Sequence, residues 1–161
     1  RKSGYKISDN DVRNGFRQVD QMTGLQGRWQ KLRNSPTIIC DTGHNVAGIS
    51  YIVEQLKQMK YERLHIVIGM VNDKDVSGVL ALLPKNAVYY FTKASVKRAL
   101  SETLLQQIGA SAGLEGNTYP DVQSAVKAAQ EKSLPEDLIF VGGSSFIVAD
   151  LLSCRDTLDL D

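Results

Sequence analysis

Thr37-Ile38-Ile39-Cys40-Asp41-Thr42-Gly43-His44-Asn45 is the stretch that decides the fold. From Thr37 to Cys40 the run is short, β-branched and apolar, as a strand covered on both faces is. Asp41 to Asn45 is polar and holds Gly43, so the strand ends there in a turn. Asn45 is a good N-cap, because its side-chain oxygen reaches amides of a first helical turn. Beyond it Ile49, Ile52, Val53, Leu56 and Met59 share one helical face. Strand, turn and helix in that order are the opening of a βαβ unit.

The same alternation continues outward. Leu64 to Ile68 is a second apolar strand, and Val76, Val79, Leu80 and Leu83 mark a short helix stopped by Pro84. Ala87 to Phe91 is a third strand, followed by a helix with Leu100, Leu104, Leu105 and Ile108. Asn117 to Tyr119 is a weak strand, and Val122, Ala125, Val126 and Ala129 form the next helical stripe. Leu138 to Val141 is the last strand, and Phe146 to Leu152 is helical. Upstream, Trp29-Gln30-Lys31-Leu32 alternates like an edge strand. The expected fold is a three-layer, Rossmann-like α/β domain: a mostly parallel sheet of about six strands with helices on both faces.

Residues 1–26 differ from the rest. They hold Gly4, Gly15 and Gly24, and only Val12, Phe16 and Val19 suggest a short helical stripe. We expect residues 1–26 to be the end of a preceding domain and its linker, residues 27–161 to be the α/β domain, and the chain to be cut from a larger protein.

Composition excludes several classes. The chain has 161 residues, 19 Lys+Arg against 18 Asp+Glu and a net charge of +1, so no broad field draws nucleic acid or anionic membrane. No apolar run reaches the length of a membrane span, and Arg1 to Asn10 has no secretion-signal character. Two distant cysteines, Cys40 and Cys154, offer no Cys-x-x-Cys spacing for a metal and read as reduced thiols of a cytoplasmic protein. Cys40 suits a small buried hydrophobe.

In a parallel α/β sheet, ligands bind beyond the carboxyl ends of the strands. The segments there are Asp41 to Asn45, Gly69 to Asp75, Thr92 to Ser95 and Gly142 to Ser145, all polar or Gly-rich. Asp41 can accept hydrogen bonds from ribose hydroxyls, and His44 stands at a helix start, where anions are favoured. The same residues also read as a capped β-to-α turn. Lys74, in Asn72-Asp73-Lys74-Asp75, can place a cation at the mouth, and Asp75 can cap the next helix. Gly142-Gly143-Ser144-Ser145 lets backbone approach a ligand, or is a plain serine cap. Arg28, after Gly27, can reach a phosphate between two domains. Arg98 reads equally as surface charge, and mid-strand His65 reads as a satisfied core or edge histidine. Gly43 and Gly48 have P-loop spacing, but Ile49-Ser50 stands where that motif requires lysine, and no Gly-x-Gly-x-x-Gly is present. A nucleophile–base triad has no support, since neither histidine has an orienting carboxylate visible in the sequence.

In order and spacing these motifs resemble the C-terminal domain of the folylpolyglutamate synthases, which are often also dihydrofolate synthases, within the Mur-ligase-like superfamily. The resemblance runs through Gly27-Arg28-Trp29-Gln30, Ile38 to Asn45, Gly69-Met70 with Asp73-Lys74-Asp75, Arg98-Ala99 and Val141 to Phe146. It departs at Thr42-Gly43, where the family has Gly-Ala, and at Cys40, usually aliphatic. The resemblance implies ATP-dependent carboxylate–amine ligation through an acyl phosphate, adding L-glutamate to folate or dihydropteroate. It implies Arg28, Asp41 and Asn45 on the nucleotide, His44 as the catalytic group near the transferred phosphate, and Lys74, Ser144 and Phe146 around glutamate. It also implies an N-terminal P-loop ATPase domain of the same chain that holds ATP and Mg2+, with no metal held here and no ligation by these residues alone. The competing expectation is a stand-alone α/β ligand-binding or regulatory module without catalysis.

Overall fold

Apolar residues on successive strand positions must be covered from both sides, and the chain folds accordingly. The computed structural model describes residues 4, 6–18, 22–72 and 75–160. After α1 (Asp9–Arg17) come β1 (Gln30–Asn34), β2 (Thr37–Asp41), α2 (Val46–Gln58), β3 (Leu64–Ile68), α3 (Val76–Ala81) and β4 (Val88–Phe91). Then follow α4 (Glu102–Ser111), β5 (Gly116–Thr118), α5 (Val122–Lys132), β6 (Leu138–Gly142), α6 (Ser145–Ser153) and a short 3-10 turn (Arg155–Leu158). The six strands are ordered β1-β2-β6-β3-β4-β5. All neighbours are parallel except the β1–β2 hairpin, which makes β1 an antiparallel edge. The expected α/β architecture is the one observed.

Strand alternation divides the core. Ile39, Leu64, Ile66, Ile68, Tyr89, Phe91, Leu138 and Phe140 face α2, α3 and α4, against Ile49, Ile52, Leu56, Leu80 and Leu105. Ile38, Cys40, Val67, Tyr90, Ile139 and Val141 face α5 and α6, against Val126, Ala129, Ile147 and Leu151. Cys40 is fully buried among these, and burial pushes its thiol up to about 12, so it packs as an inert hydrophobe. The α1 helix starts with a capping box, in which Ser8 and Asp11 each satisfy the other's backbone amide. Val12 on it is exposed, and Val19 of the expected stripe lies outside the described residues.

Three polar side chains close the amino end of the sheet. His65 on β3 and Asp137, just before β6, are both buried, with Nε2 3.3 Å from Asp137 Oδ2. A carboxylate only accepts, so Nε2 carries the proton. Nδ1 then accepts from the Tyr90 hydroxyl at 3.0 Å. Asp137 also accepts the amides of Arg63 at 3.0 Å and Leu134 at 2.8 Å. Burial drives the His65 pKa below the usual histidine value despite its carboxylate partner, so the ring is neutral in the fold. His65 is thus the satisfied core histidine that its position suggested. The carboxylate that orients it lies 72 residues away in sequence.

Candidate active site at the carboxyl edge of the sheet

Parallel register brings the strand ends level. Asp41 pairs with Gly142, Gly142 with Ile68, and Ile68 with Phe91. The chain order reverses around β6, which lies between β2 and β3 but sends its helix to the opposite face from theirs. In open sheets of this kind, ligands bind at the carboxyl edge where the strand order reverses. The backbones pack closely here. A Cβ on Gly142 would lie 2.7 Å from the Asp41 carbonyl, and one on Gly143 2.7 Å from the Gly69 carbonyl. Gly143 also holds a φ of 93°, which side-chain-bearing residues rarely adopt.

Asp41 spans two segments. Its Oδ2 accepts the Trp29 amide and its Oδ1 the Gly43 amide, both at 2.7 Å. His44 Nδ1 lies 3.0 Å from the Thr42 carbonyl, which can only accept. Nδ1 of this half-buried ring therefore carries a proton, and in the neutral tautomer Nε2 is left as the acceptor. Asn45 caps α2 by accepting the Gly48 amide at 2.8 Å, as expected. Ser144 caps α6, with Oγ 3.2 Å from the Phe146 amide, and it is 97% buried at the bottom of the edge (3% exposed). Its hydroxyl proton remains to be donated. Asp75 caps α3 by accepting the Gly78 amide at 2.9 Å. Lys74 and Asp73 lie outside the described residues. Arg28 is exposed at the start of the sheet, one residue before the Trp29 amide that Asp41 holds.

Sequence reading undervalued Arg98. Its guanidinium stacks 4.8 Å from the centre of the Phe146 ring, a cation–π contact that carries it to the edge beside Ser144. The β4–α4 connection that bears it is tied down along its length. Asp150 accepts from the Ser95 amide at 2.7 Å and hydroxyl at 2.8 Å. The Asn72 amide donates to the Arg98 carbonyl, the Leu100 amide to the Met70 carbonyl, and Val71 bridges Ala99. Lys93 in the same connection pairs with Glu102 at 3.0 Å. The sequence signal was the Arg98-Ala99 pair itself, but nothing local indicated its aromatic partner.

The chain is thus an α/β domain with an arginine, a histidine and a second arginine over an aromatic ring at the carboxyl ends of its strands. More particularly, the sequence pattern of the Mur ligase, glutamate ligase domain, matches residues 27–145, and the chain belongs to that family. It is 33% identical to the dihydrofolate synthase/folylpolyglutamate synthase of Escherichia coli over 160 residues, which is 97% of this chain and 36% of that protein. The structure of E. coli FolC in complex with ADP superposes with a TM-score of 0.81 at 30% identity, over 96% of this chain and 36% of that one. A bifunctional folylpolyglutamate synthase/dihydrofolate synthase with Mn, AMPPNP and L-glutamate bound superposes with a TM-score of 0.79 at 28% identity, over 96% and 36% of the two chains. The chain thus spans about a third of the length of these relatives. Among the described residues, no helix is long and apolar enough to cross a membrane.

Proposed function

We propose that this chain is the glutamate-binding domain of an ATP-dependent ligase that joins L-glutamate to folate or dihydropteroate through an acyl phosphate. The observation that carries this reading is the convergence of His44, Ser144 and the Arg98–Phe146 pair on one sheet edge, with Arg28 beside it. In this reading residues 1–26 end a preceding domain and residues 27–161 form the ligase domain. Exposed Met22 and Leu25, just before Gly27, suit a surface facing a neighbouring domain.

The substrate carboxylate attacks the γ-phosphorus of ATP, giving acyl phosphate and ADP. The glutamate amine then attacks the acyl carbon, and phosphate leaves as the amide forms. Phosphoryl transfer is driven by positioning and positive charge. Arg28 contributes that charge at the nucleotide phosphates, and Asp41 and Asn45 complete the nucleotide contacts. Arg98 and the Ser144 hydroxyl hold the carboxylates of glutamate, and Phe146 packs beside them; Lys74 is assigned to the same carboxylates from the sequence alone. Glutamate arrives as an ammonium ion and must lose a proton before it can attack. His44 Nε2, kept as an acceptor by the Nδ1–Thr42 bond, receives it.

Two of the similar solved structures contain Mn with AMPPNP. Among the described residues here no group of three or more His, Cys, Asp or Glu side chains is placed to hold a metal ion. In this reading Mg2+ and the nucleotide's P-loop belong to the partner domain, and the residues of this domain bind and orient glutamate and the nucleotide phosphates. Incubated alone with ATP, folate and L-glutamate, the 161-residue chain is expected to form no glutamylated product, whereas the native gene product with a nucleotide-binding domain forms it. Ligation by the isolated chain would contradict the division of labour proposed here.

A further inference from the structure

We infer that Asp150 is a positioning residue for Arg98: its carboxylate latches the β4–α4 connection onto α6 and so holds the Arg98 guanidinium over Phe146, ready for a carboxylate of glutamate. The inference rests on the ligase reading above.

Residues 92–101, between β4 and α4, belong to no helix and to no strand of the sheet. Such a segment is held only by what it touches, and it carries the exposed Arg98. On the β3 side the holding is backbone to backbone. The Arg98 carbonyl accepts the Asn72 amide at 3.1 Å, and the Leu100 amide donates to the Met70 carbonyl at 2.9 Å. These bonds place the Arg98 backbone but leave its long side chain a choice of directions. On the α6 side the holding is by side chains. Asp150 Oδ2 accepts the Ser95 amide at 2.7 Å, and Oδ1 accepts the Ser95 hydroxyl at 2.8 Å. Two bonds from one carboxylate to one residue fix orientation as well as distance.

Asp150 and Phe146 lie four residues apart in α6, so they stand on the same side of that helix. That side grips the connection twice, by the carboxylate at Ser95 and by the ring beneath the guanidinium at 4.8 Å. Between these points the Ala99 amide donates to the Val96 carbonyl at 3.0 Å, closing a turn that includes Arg98. Val96 and Ala99 pack on the same core layer as Phe146. The turn that presents Arg98 is thus tied to α6 at its entry and to the β3 side at its exit. The Ser144 hydroxyl caps the same helix, so the latch also sets the spacing between the two groups assigned to the glutamate carboxylates. A cation placed in advance loses little freedom when its ligand arrives, and affinity rises accordingly.

The test is steady-state kinetics of the native gene product with its nucleotide-binding domain. Asp150→Ala is expected to raise the glutamate KM about tenfold, with the ATP KM and kcat changed by less than about twofold. Asp150→Asn can keep both contacts, since its carbonyl accepts the amide while its NH2 donates to the hydroxyl oxygen; it is expected to stay within about threefold of the unsubstituted enzyme. In an Arg98→Ala background, Asp150→Ala is expected to add less than about twofold, because the two act as one unit. An asparagine variant as impaired as the alanine one would mean that charge acts rather than the latch, and would overturn the inference. So would an ATP KM that rises in parallel, or effects that add to those of Arg98→Ala. Amide exchange tests the latch itself. Peptides spanning residues 93–100 are expected to exchange faster in Asp150→Ala while those of β6 stay protected, and unchanged exchange would refute it. If the unsubstituted gene product has no ATP- and glutamate-dependent turnover, the ligase reading falls and takes this inference with it. Any of the other contrary results, in an active enzyme, defeats the inference alone.

Discussion

Asp137→Ala is expected to lower the unfolding free energy by about 2–4 kcal/mol, because a buried donor left without its acceptor costs about 1–3 kcal/mol and this carboxylate serves several. The substitution strips His65 Nε2 of its acceptor and leaves the Arg63 and Leu134 amides without theirs. Asp137→Asn, which keeps an oxygen acceptor, is expected to lose less. The same network sets the acid limb of stability. The His65 pKa is lowered in the fold, so the unfolded chain takes up a proton that the folded one refuses. Its contribution is complete above about pH 6.5 and is lost as pH falls toward its folded value. The Asp137 pKa is also lowered; burial opposes this, but the Leu134 amide and His65 outweigh it. Its contribution is lost at still lower pH, as pH falls through its own folded value. Urea unfolding at about pH 7.5 and about pH 5.5 measures both effects. A wild-type midpoint that does not fall on acidification, or a stable Asp137→Ala variant, would contradict the network.

Arg98→Ala is expected to raise the glutamate KM about a hundredfold in the native gene product, with the ATP KM changed by less than about threefold. Charged hydrogen bonds to a carboxylate are among the stronger polar contacts, and this cation is held by stacking on Phe146 before any ligand arrives. Arg98→Lys is expected to recover only part of the loss, because a lysine keeps the charge but neither stacks as a plane nor presents a bidentate fork. A glutamate KM unaffected by Arg98→Ala would remove this residue from the site and leave Lys74 as the cation assigned to those carboxylates.

The fold was readable where the chain is buried on both faces. β2, β3 and β6 are dominated by apolar residues, and their helices carry clean stripes, so element type followed from periodicity. Errors fell where packing or backbone, not pattern, decides. Trp29 looked like a strand residue, but its left-handed backbone excludes it and β1 begins at Gln30. The edge strand β5 has only three residues, Gly116–Thr118, and little apolar character to mark its start. The caps Asn45, Asp75 and Ser144 were legible because capping is local. Asp137 opposite His65 and Phe146 beneath Arg98 were not, since both partnerships join distant segments. The double use of Asp41 was equally hidden. A strand-end aspartate advertises a ligand contact, while its two amide partners exist only once β1 and the β2–α2 turn have been brought together.

The most direct test of the central claim follows an oxygen atom. The native gene product is incubated with ATP, L-glutamate and folate or dihydropteroate whose reacting carboxylate carries heavy oxygen, and the products are weighed by mass spectrometry. Ligation through an acyl phosphate predicts a folate heavier by one glutamyl residue and one heavy oxygen transferred to the released phosphate. Glutamate- and ATP-dependent product without label in the phosphate would contradict the acyl-phosphate route, and no glutamylated product at all would contradict the assignment of this sheet edge to glutamate ligation.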